Sequence, residues 1–440
     1  MTMINAFDGS GEARLDPQDK ALIARRASVL GPAYRLFYEE PLHIQRGKGV
    51  WLWDRRGRRY LDAYNNVASL GHCHPRVIEA VSAQLGVLNT HTRYLHEDVV
   101  IYAERLLATM PDAFGHVMFT CTGSEANDLA LRIARSRGGR QGVVVTRLAY
   151  HGLTEAVSEL SPSLGEFVPR GPRVRLIEAP DGLRVPAADQ GARLAADLAR
   201  AIAGMRAEGI EPAAFIADTI FSSDGLHPEP AGFLRPAVEL IRAEGGVFIA
   251  DEVQPGFART GEAFWGFTRH GLVPDMVTMG KPMGNGFPVS GVAMRPELVR
   301  EFGARSRYFN TFGGSPVAAA AGLAVLDVIR DEGLQDNALR IGAFLKAGLD
   351  RIAARHEAIG DVRGAGLFLA VECVTRRETN APDAALAGFV VNHLRQNGVL
   401  ISATGPGANI LKIRPPLVLQ QPEAEILLDA VETAFAAAVP

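Results

Sequence analysis

From about residue 75 onward, short apolar runs alternate with stretches of helical periodicity. HVMFT (116–120), GVVVT (142–146), AAFIAD (213–218), VFIAD (247–251) and DMVTMG (275–280) read as strands, and SEANDLALRIAR, after the first, reads as a helix. Runs that are apolar throughout need cover on both faces. Helices between successive strands supply it, so the pattern predicts an α/β fold with a parallel sheet.

The flanks read differently. ALIARRASVL (21–30) predicts a short amphipathic helix ending at Gly31-Pro32, and VWLWDRRGRRYLDAY (50–64) a hairpin with Arg-Gly at its turn. PVAAAAGLAVLDVI (316–329) predicts a buried helix; it is too short to span a bilayer and Asp327 interrupts it. Beyond it, RIGAFLKAGLDRIAARH reads as a helix, LFLAVE as a strand and 422–438 as a closing helix. A chain of 440 residues suits about two or three domains. The expected division is an N-terminal segment, 1–74, that joins a small C-terminal domain, 331–440, with a large domain over 75–330. A net charge of -3 without blocks of like charge argues against a nucleic-acid partner. Cys73, Cys121 and Cys373 are too widely spaced for a disulfide framework. The first twenty residues are polar and lack a signal-peptide core. Both features point to a cytoplasmic protein, with no membrane partner.

Three features carry chemistry. Asp218 and Asp251 each end an apolar strand, where α/β sheets bind ligands, although either alone could as readily cap a helix. TGSEAN (122–127) follows a strand and opens a helix; Gly123 permits close backbone approach, and free N–H groups there favour a phosphate. Lys281, in VTMGKPMGNG, is one of few lysines in a chain whose cations are mostly arginine. Together they suit pyridoxal 5'-phosphate. An amine holds the aldehyde as a Schiff base, a buried carboxylate keeps the ring nitrogen protonated, and a helix start takes the phosphate. Tyr150 and His151, just after GVVVT, could supply a ring to stack on the pyridine. GHCHP (71–75) has no second ligand pair at a zinc spacing, so no metal is expected.

TGSEAND, YHG, IADEVQPGFARTG, TMGKPMGNGFP and NTFGGSPV stand in an order that resembles the class III aminotransferases, which are fold-type I pyridoxal-phosphate enzymes. The resemblance runs from GKGVWLWDRRGRRYLDAY to LKIRPPL. It implies a large domain with a mostly parallel seven-stranded sheet covered by helices, and a smaller α/β domain built from both chain ends. It implies Lys281 as Schiff-base lysine and proton carrier, and Asp251 as partner of the ring nitrogen. Val253 would pack on a ring face, Gln254 would bond the ring hydroxyl, Gly123 and Ser124 would hold the phosphate, and Tyr150 would stack on the ring. Thr311 would reach the phosphate of a neighbouring subunit, which makes the expected assembly a homodimer with sites at the interface.

YNNVASLGHCHP, LNTHTRYLHE and NILKIRPPL are most similar to the branch of alanine–glyoxylate aminotransferase-like enzymes and ethanolamine-phosphate phospho-lyases. Three positions depart from family habit: Lys412 stands where many members carry a carboxylate-gripping arginine, Asp218 where glutamate is usual, and Phe287 where the phospho-lyases carry histidine. Asn65, Asn66, Asp218, Phe287 and Lys412 are the candidate substrate residues. The expected activity is transfer of an amino group from an amine or amino acid to a keto acid or aldehyde. The alternative is a lyase that eliminates phosphate or ammonia from a small phosphorylated or phosphonate amine. A non-catalytic pyridoxal-phosphate regulator would need a DNA-binding module, and the segment before the hairpin is too short for one.

Overall fold

In the computed structural model, which describes residues 5–438, the aromatic run near the N-terminus folds back on itself as expected. β1 (Ile44–Lys48), β2 (Trp51–Asp54) and β3 (Arg59–Asp62) form an antiparallel meander. Gly57 turns β2 into β3 at φ +79°, a left-handed value that glycine adopts without strain. The helix before it, Pro17–Leu30, starts on the Asp16 cap and ends at Gly31. Its expected amphipathic face is not used, because none of its residues is buried.

The next seven strands build one sheet: β4 (His116–Thr120), β5 (Gly142–Thr146), β6 (Val174–Ile177), β7 (Pro212–Asp218), β8 (Val247–Asp251), β9 (Met276–Met279) and β10 (Ser290–Met294). Their order is β4-β10-β9-β8-β7-β5-β6, with β5 to β9 parallel and β10 antiparallel to both neighbours. The sheet is thus mostly parallel. β6 and β10 escaped the sequence reading because VRLI is broken by an arginine and SGVAM opens on the weak strand formers Ser and Gly. Along β8, Val247 and Ile249 enter one apolar core while Phe248 and Ala250 enter the other. The two-residue period of a strand therefore explains why every residue of VFIAD is buried.

The last strands are β11 (Ile359–Ala365), β12 (Phe368–Cys373), β13 (Val399–Leu400), β14 (Ser402–Thr404) and β15 (Ile410–Ile413). Four make an antiparallel sheet ordered β11-β12-β15-β14. β13 instead pairs in parallel with β3, and the Leu61 N–H donates to Gly398 O at 2.8 Å. The two ends of the chain therefore share a sheet. Helices Leu334–Arg355 and Ala384–Gln396 pack on these strands, the closing helix Gln421–Ala438 packs on those two helices, and the alanine-rich helix Pro316–Asp331 is mostly buried. No helix among the described residues is long and apolar enough to cross a membrane.

Candidate active site

Register brings the strand-end residues to one edge. Asp218 of β7 pairs directly with Asp251 of β8, and Asp251 pairs with Thr278 of β9, three residues before Lys281. Tyr150 and His151 follow β5 on the same carboxyl edge. The helix Gly123–Arg135 begins directly after β4. A capping box fixes its start: the Glu125 N–H donates to Thr122 Oγ1 at 3.2 Å, and the Thr122 N–H donates to Glu125 Oε2 at 3.0 Å. Gly123 and Ser124 then hold the first two helical positions, whose N–H groups have no partner within the helix.

One pocket, with about 450 Å³ of empty space including its mouth, is lined by Gly123, Ser124, Tyr150, His151, Gly152, Asp218, Asp251, Val253, Gln254 and Lys281. Close packing dictates two of its glycines. A Cβ on Gly123 would meet Val253 at 3.0 Å, and one on Gly152 would fall within 2.5 Å of Ser124 Oγ, at φ +141°. Lys281 itself has φ +23°, a backbone strain that a residue with a side chain holds only under constraint from its surroundings.

Asp251 is buried and triply held. His151 Nδ1 lies 2.7 Å from its Oδ2, the Asn127 amide donates to the same oxygen at 3.0 Å, and the Val253 N–H donates to Oδ1 at 3.1 Å. A carboxylate accepts only, so the His151 proton sits on Nδ1. Asn127 also donates to His151 O at 2.7 Å, locking the imidazole loop to the helix. The Lys281 amine has no hydrogen-bond partner among the described residues. Burial, the largest cause, and then the charge of Arg414 hold its pKa below the usual lysine value, against the pull of Asp251 and Asp218.

Beside this group lies a second one. Burial raises the Asp218 pKa, and the charge of Asp251 adds to that. Its oxygens accept from the Ile220 N–H at 3.0 Å, the Ser222 N–H at 3.1 Å and the Ser222 hydroxyl. Lys412 does not face solvent. It is buried in β15, donates to Ser222 O at 2.7 Å, and has its pKa pushed well down by burial and then by Arg414. Arg414 donates to Gln254 Oε1 and, at 2.6 Å, to Tyr64 O. Asn66 is buried and donates to Gln254 O at 3.1 Å. Phe287 is partly buried against the main core, and Thr311 is exposed; neither lines the pocket.

Sequence reasoning gave no role to Asn127, Ser222 or Arg414. Asn127 and Arg414 stood inside quoted motifs and Ser222 just past one, but nothing local separates a hydrogen-bonding asparagine or serine from a capping one. The residues present suit pyridoxal phosphate: an amine with depressed pKa, a buried carboxylate, free helix-start donors and a glycine floor share one pocket.

Residues 37–435 match the family described as "Aminotransferase class-III". The chain is 41% identical over 421 residues to the Drosophila melanogaster "Alanine--glyoxylate aminotransferase 2-like" protein, covering 92% of this chain and 85% of that one. It is 40% identical over 420 residues to the Arabidopsis thaliana "Alanine--glyoxylate aminotransferase 2 homolog 2, mitochondrial", covering 94% and 87%. Among solved structures, it resembles an Arthrobacter phospholyase in complex with phosphoethanolamine, with TM-score 0.92, 43% identity, and coverage of 95% of this chain and 100% of that one. The mitochondrial designation of the Arabidopsis relative overturns the cytoplasmic expectation. Cysteine spacing reports on redox conditions and carries no cellular address.

Proposed function

The chain belongs to the class III aminotransferases, enzymes that use pyridoxal 5'-phosphate, and from that premise we propose how its residues divide the work. When bound, the cofactor supplies an aldehyde carbon conjugated to a pyridinium that withdraws electrons. Lys281 Nζ is the amine that holds it. Freed by an amino donor, that amine would be the base for the proton on the donor's amine-bearing carbon. A depressed pKa leaves more of the amine neutral and able to accept a proton near neutral pH. Asp251, aimed by His151, Asn127 and the Val253 N–H, holds a proton on the ring nitrogen. Gly123 and Ser124 donate to the phosphate. Tyr150 and Val253 would pack on the ring faces and exclude water, and Gln254 would meet the ring oxygen; all three line the pocket.

The observation that carries this reading is the meeting of Lys281, Asp251 and the Gly123–Ser124 helix start in one pocket at the strands' carboxyl edge. Borohydride treatment of the holoenzyme, followed by peptide mass mapping, tests it. The cofactor should be found on the Lys281 peptide, and Lys281→Ala should lose both label and turnover. Label on another lysine would overturn the assignment.

The second reading, elimination from a phosphorylated or phosphonate amine, has its own support. Arg414, beside Gln254, and Arg259 are buried guanidiniums bonded only to carbonyl and amide oxygens among the described residues. A buried guanidinium without an ion-paired carboxylate is costly, so Arg414, bonded to the pocket residue Gln254, favours a substrate bearing an anionic group. A panel of amines without acceptor separates the two chemistries. Transamination alters the cofactor's absorbance and stops after one turnover; elimination keeps releasing phosphate or ammonia with the absorbance restored.

The proposed assembly is a homodimer with Thr311 reaching its partner's site. Support comes from an exposed apolar surface beside it: Tyr94, Leu95 and Phe312 are largely exposed, and Arg93 lies 3.9 Å over Phe309. Sedimentation of a monomer at micromolar concentration would end this proposal. The division at about residues 75 and 331 stands with it, supported by the β3–β13 pairing that joins the chain ends.

A further inference from the structure

Every polar group of Ser222 is engaged, and its partners come from three separate parts of the chain. Its N–H and hydroxyl proton go to Asp218 at the end of β7. Its hydroxyl oxygen accepts from Gln254 Nε2, just past β8, at 2.6 Å. Its carbonyl accepts from Lys412 of β15 at 2.7 Å. The residue is fully buried and follows Phe221, which has φ +51°, so the loop is held in a conformation it would not choose alone.

This arrangement dictates which way the Gln254 amide points. Arg414 has no acceptor, so the amide oxygen must face it. Ser222 Oγ, which spends its proton on Asp218, is left to accept, so Nε2 must face Ser222. The second N–H of Nε2 is then what the amide can still donate into the pocket it lines.

We propose that Ser222 is a positioning residue, which orients the Gln254 amide as a donor toward the cofactor's ring oxygen and ties that orientation to Asp218 and Lys412. The proposal rests on the cofactor placement given above. Losing the serine hydroxyl leaves the amide held by Arg414 alone, with more freedom to swing, and leaves the buried Asp218 carboxyl one donor short.

The test uses cofactor-stripped wild type, Ser222→Ala and Ser222→Thr, each titrated with pyridoxal 5'-phosphate by fluorescence. A single positioned hydrogen bond sets the scale, so Ser222→Ala should bind up to about tenfold more weakly. Ser222→Thr, which keeps a hydroxyl, should recover most of that loss. Reloaded Ser222→Ala should also change its visible absorbance at a higher pH than wild type, because a donor on the ring oxygen is lost. The apoproteins should melt within about 4 °C of each other, the shift expected from a small stability change in a chain of this size. Wild-type binding and pH behaviour in Ser222→Ala would overturn the proposal. So would a Thr variant no better than Ala, because the position would then be merely structural. Should Ser222→Ala fail to fold, Ser222→Cys, with its weak donor, is read by the same criteria. Borohydride labelling of wild type keeps the two failures apart. No label on Lys281 removes the cofactor placement itself, whereas label with an indifferent Ser222→Ala removes only the role of Ser222.

Discussion

Asp218 and Asp251 are the same residue type, at the same level of adjacent parallel strands, directly paired in register. Their surroundings separate them. Asp251 draws its donors from outside its own loop as well as from it: His151 after β5 and Asn127 on the first helix of the large sheet. Asp218 draws all of its donors from the next four residues of its own loop. The first arrangement aims a carboxylate rigidly into the pocket. The second holds an acid whose charge is disfavoured by burial and by its neighbour. Strand position alone thus makes a candidate, and the donors decide what the candidate can do.

That contrast can be broken experimentally. Asp251→Ala should have the largest effect, lowering kcat by roughly 10³-fold, within the range for losing a positioned proton-transfer partner; a fall of less than tenfold in steady-state assays would erase the distinction between the two acids. His151→Phe removes one of the bonds that aim Asp251 and leaves Asn127 in place, so activity should fall about 10- to 100-fold, as for other orienting partners. Asp218→Asn should raise KM roughly tenfold and weaken cofactor binding by no more than the Ser222→Ala change does, because it reaches the cofactor only through Ser222 and Gln254. Equal losses of cofactor affinity in Asp218→Asn and Asp251→Asn would show that the two acids share a role.

A third acid sharpens the comparison through stability. Asp224, in the loop after Asp218, accepts from Thr146 Oγ1 at 2.7 Å and from the Leu148 N–H at 3.0 Å. Burial pushes its pKa up to about 6 from 3.8. Between those values the native state holds a proton that the unfolded chain has released. Stability is therefore lost as pH rises through about 4 to 6, by at most about 3 kcal/mol for a shift of some two units. Asp224→Asn should flatten this part of the profile in urea titrations at pH 4, 5 and 6. An unchanged slope would show that the carboxyl is ionised throughout.

Much of this was legible in residue order. VFIAD and AAFIAD announce strands with acids at their ends, TGSEAN announces a capped helix, and the rarity of lysine singles out Lys281. These are local signals, because burial on both faces and capping act over a few residues. The helix Pro17–Leu30 shows the limit of such signals: its extent was nearly right, yet none of its residues is buried. β10 was invisible because its place between β4 and β9 comes from partners far along the chain. Lys412 could have been a solvated strand residue; only the sheet crossing that buries it against Ser222 makes it part of the site.

By itself, then, the order of residues determined the parallel α/β architecture and the chemical types available at the strand ends, since both follow from periodicity and side-chain chemistry. Only the folded molecule decided that His151 meets Asp251, that Ser222 meets Gln254, and that Arg414 meets the Gln254 amide oxygen. Those contacts join residues from 32 to 100 positions apart or more. Register and packing of whole strands set them, and no local pattern encodes either.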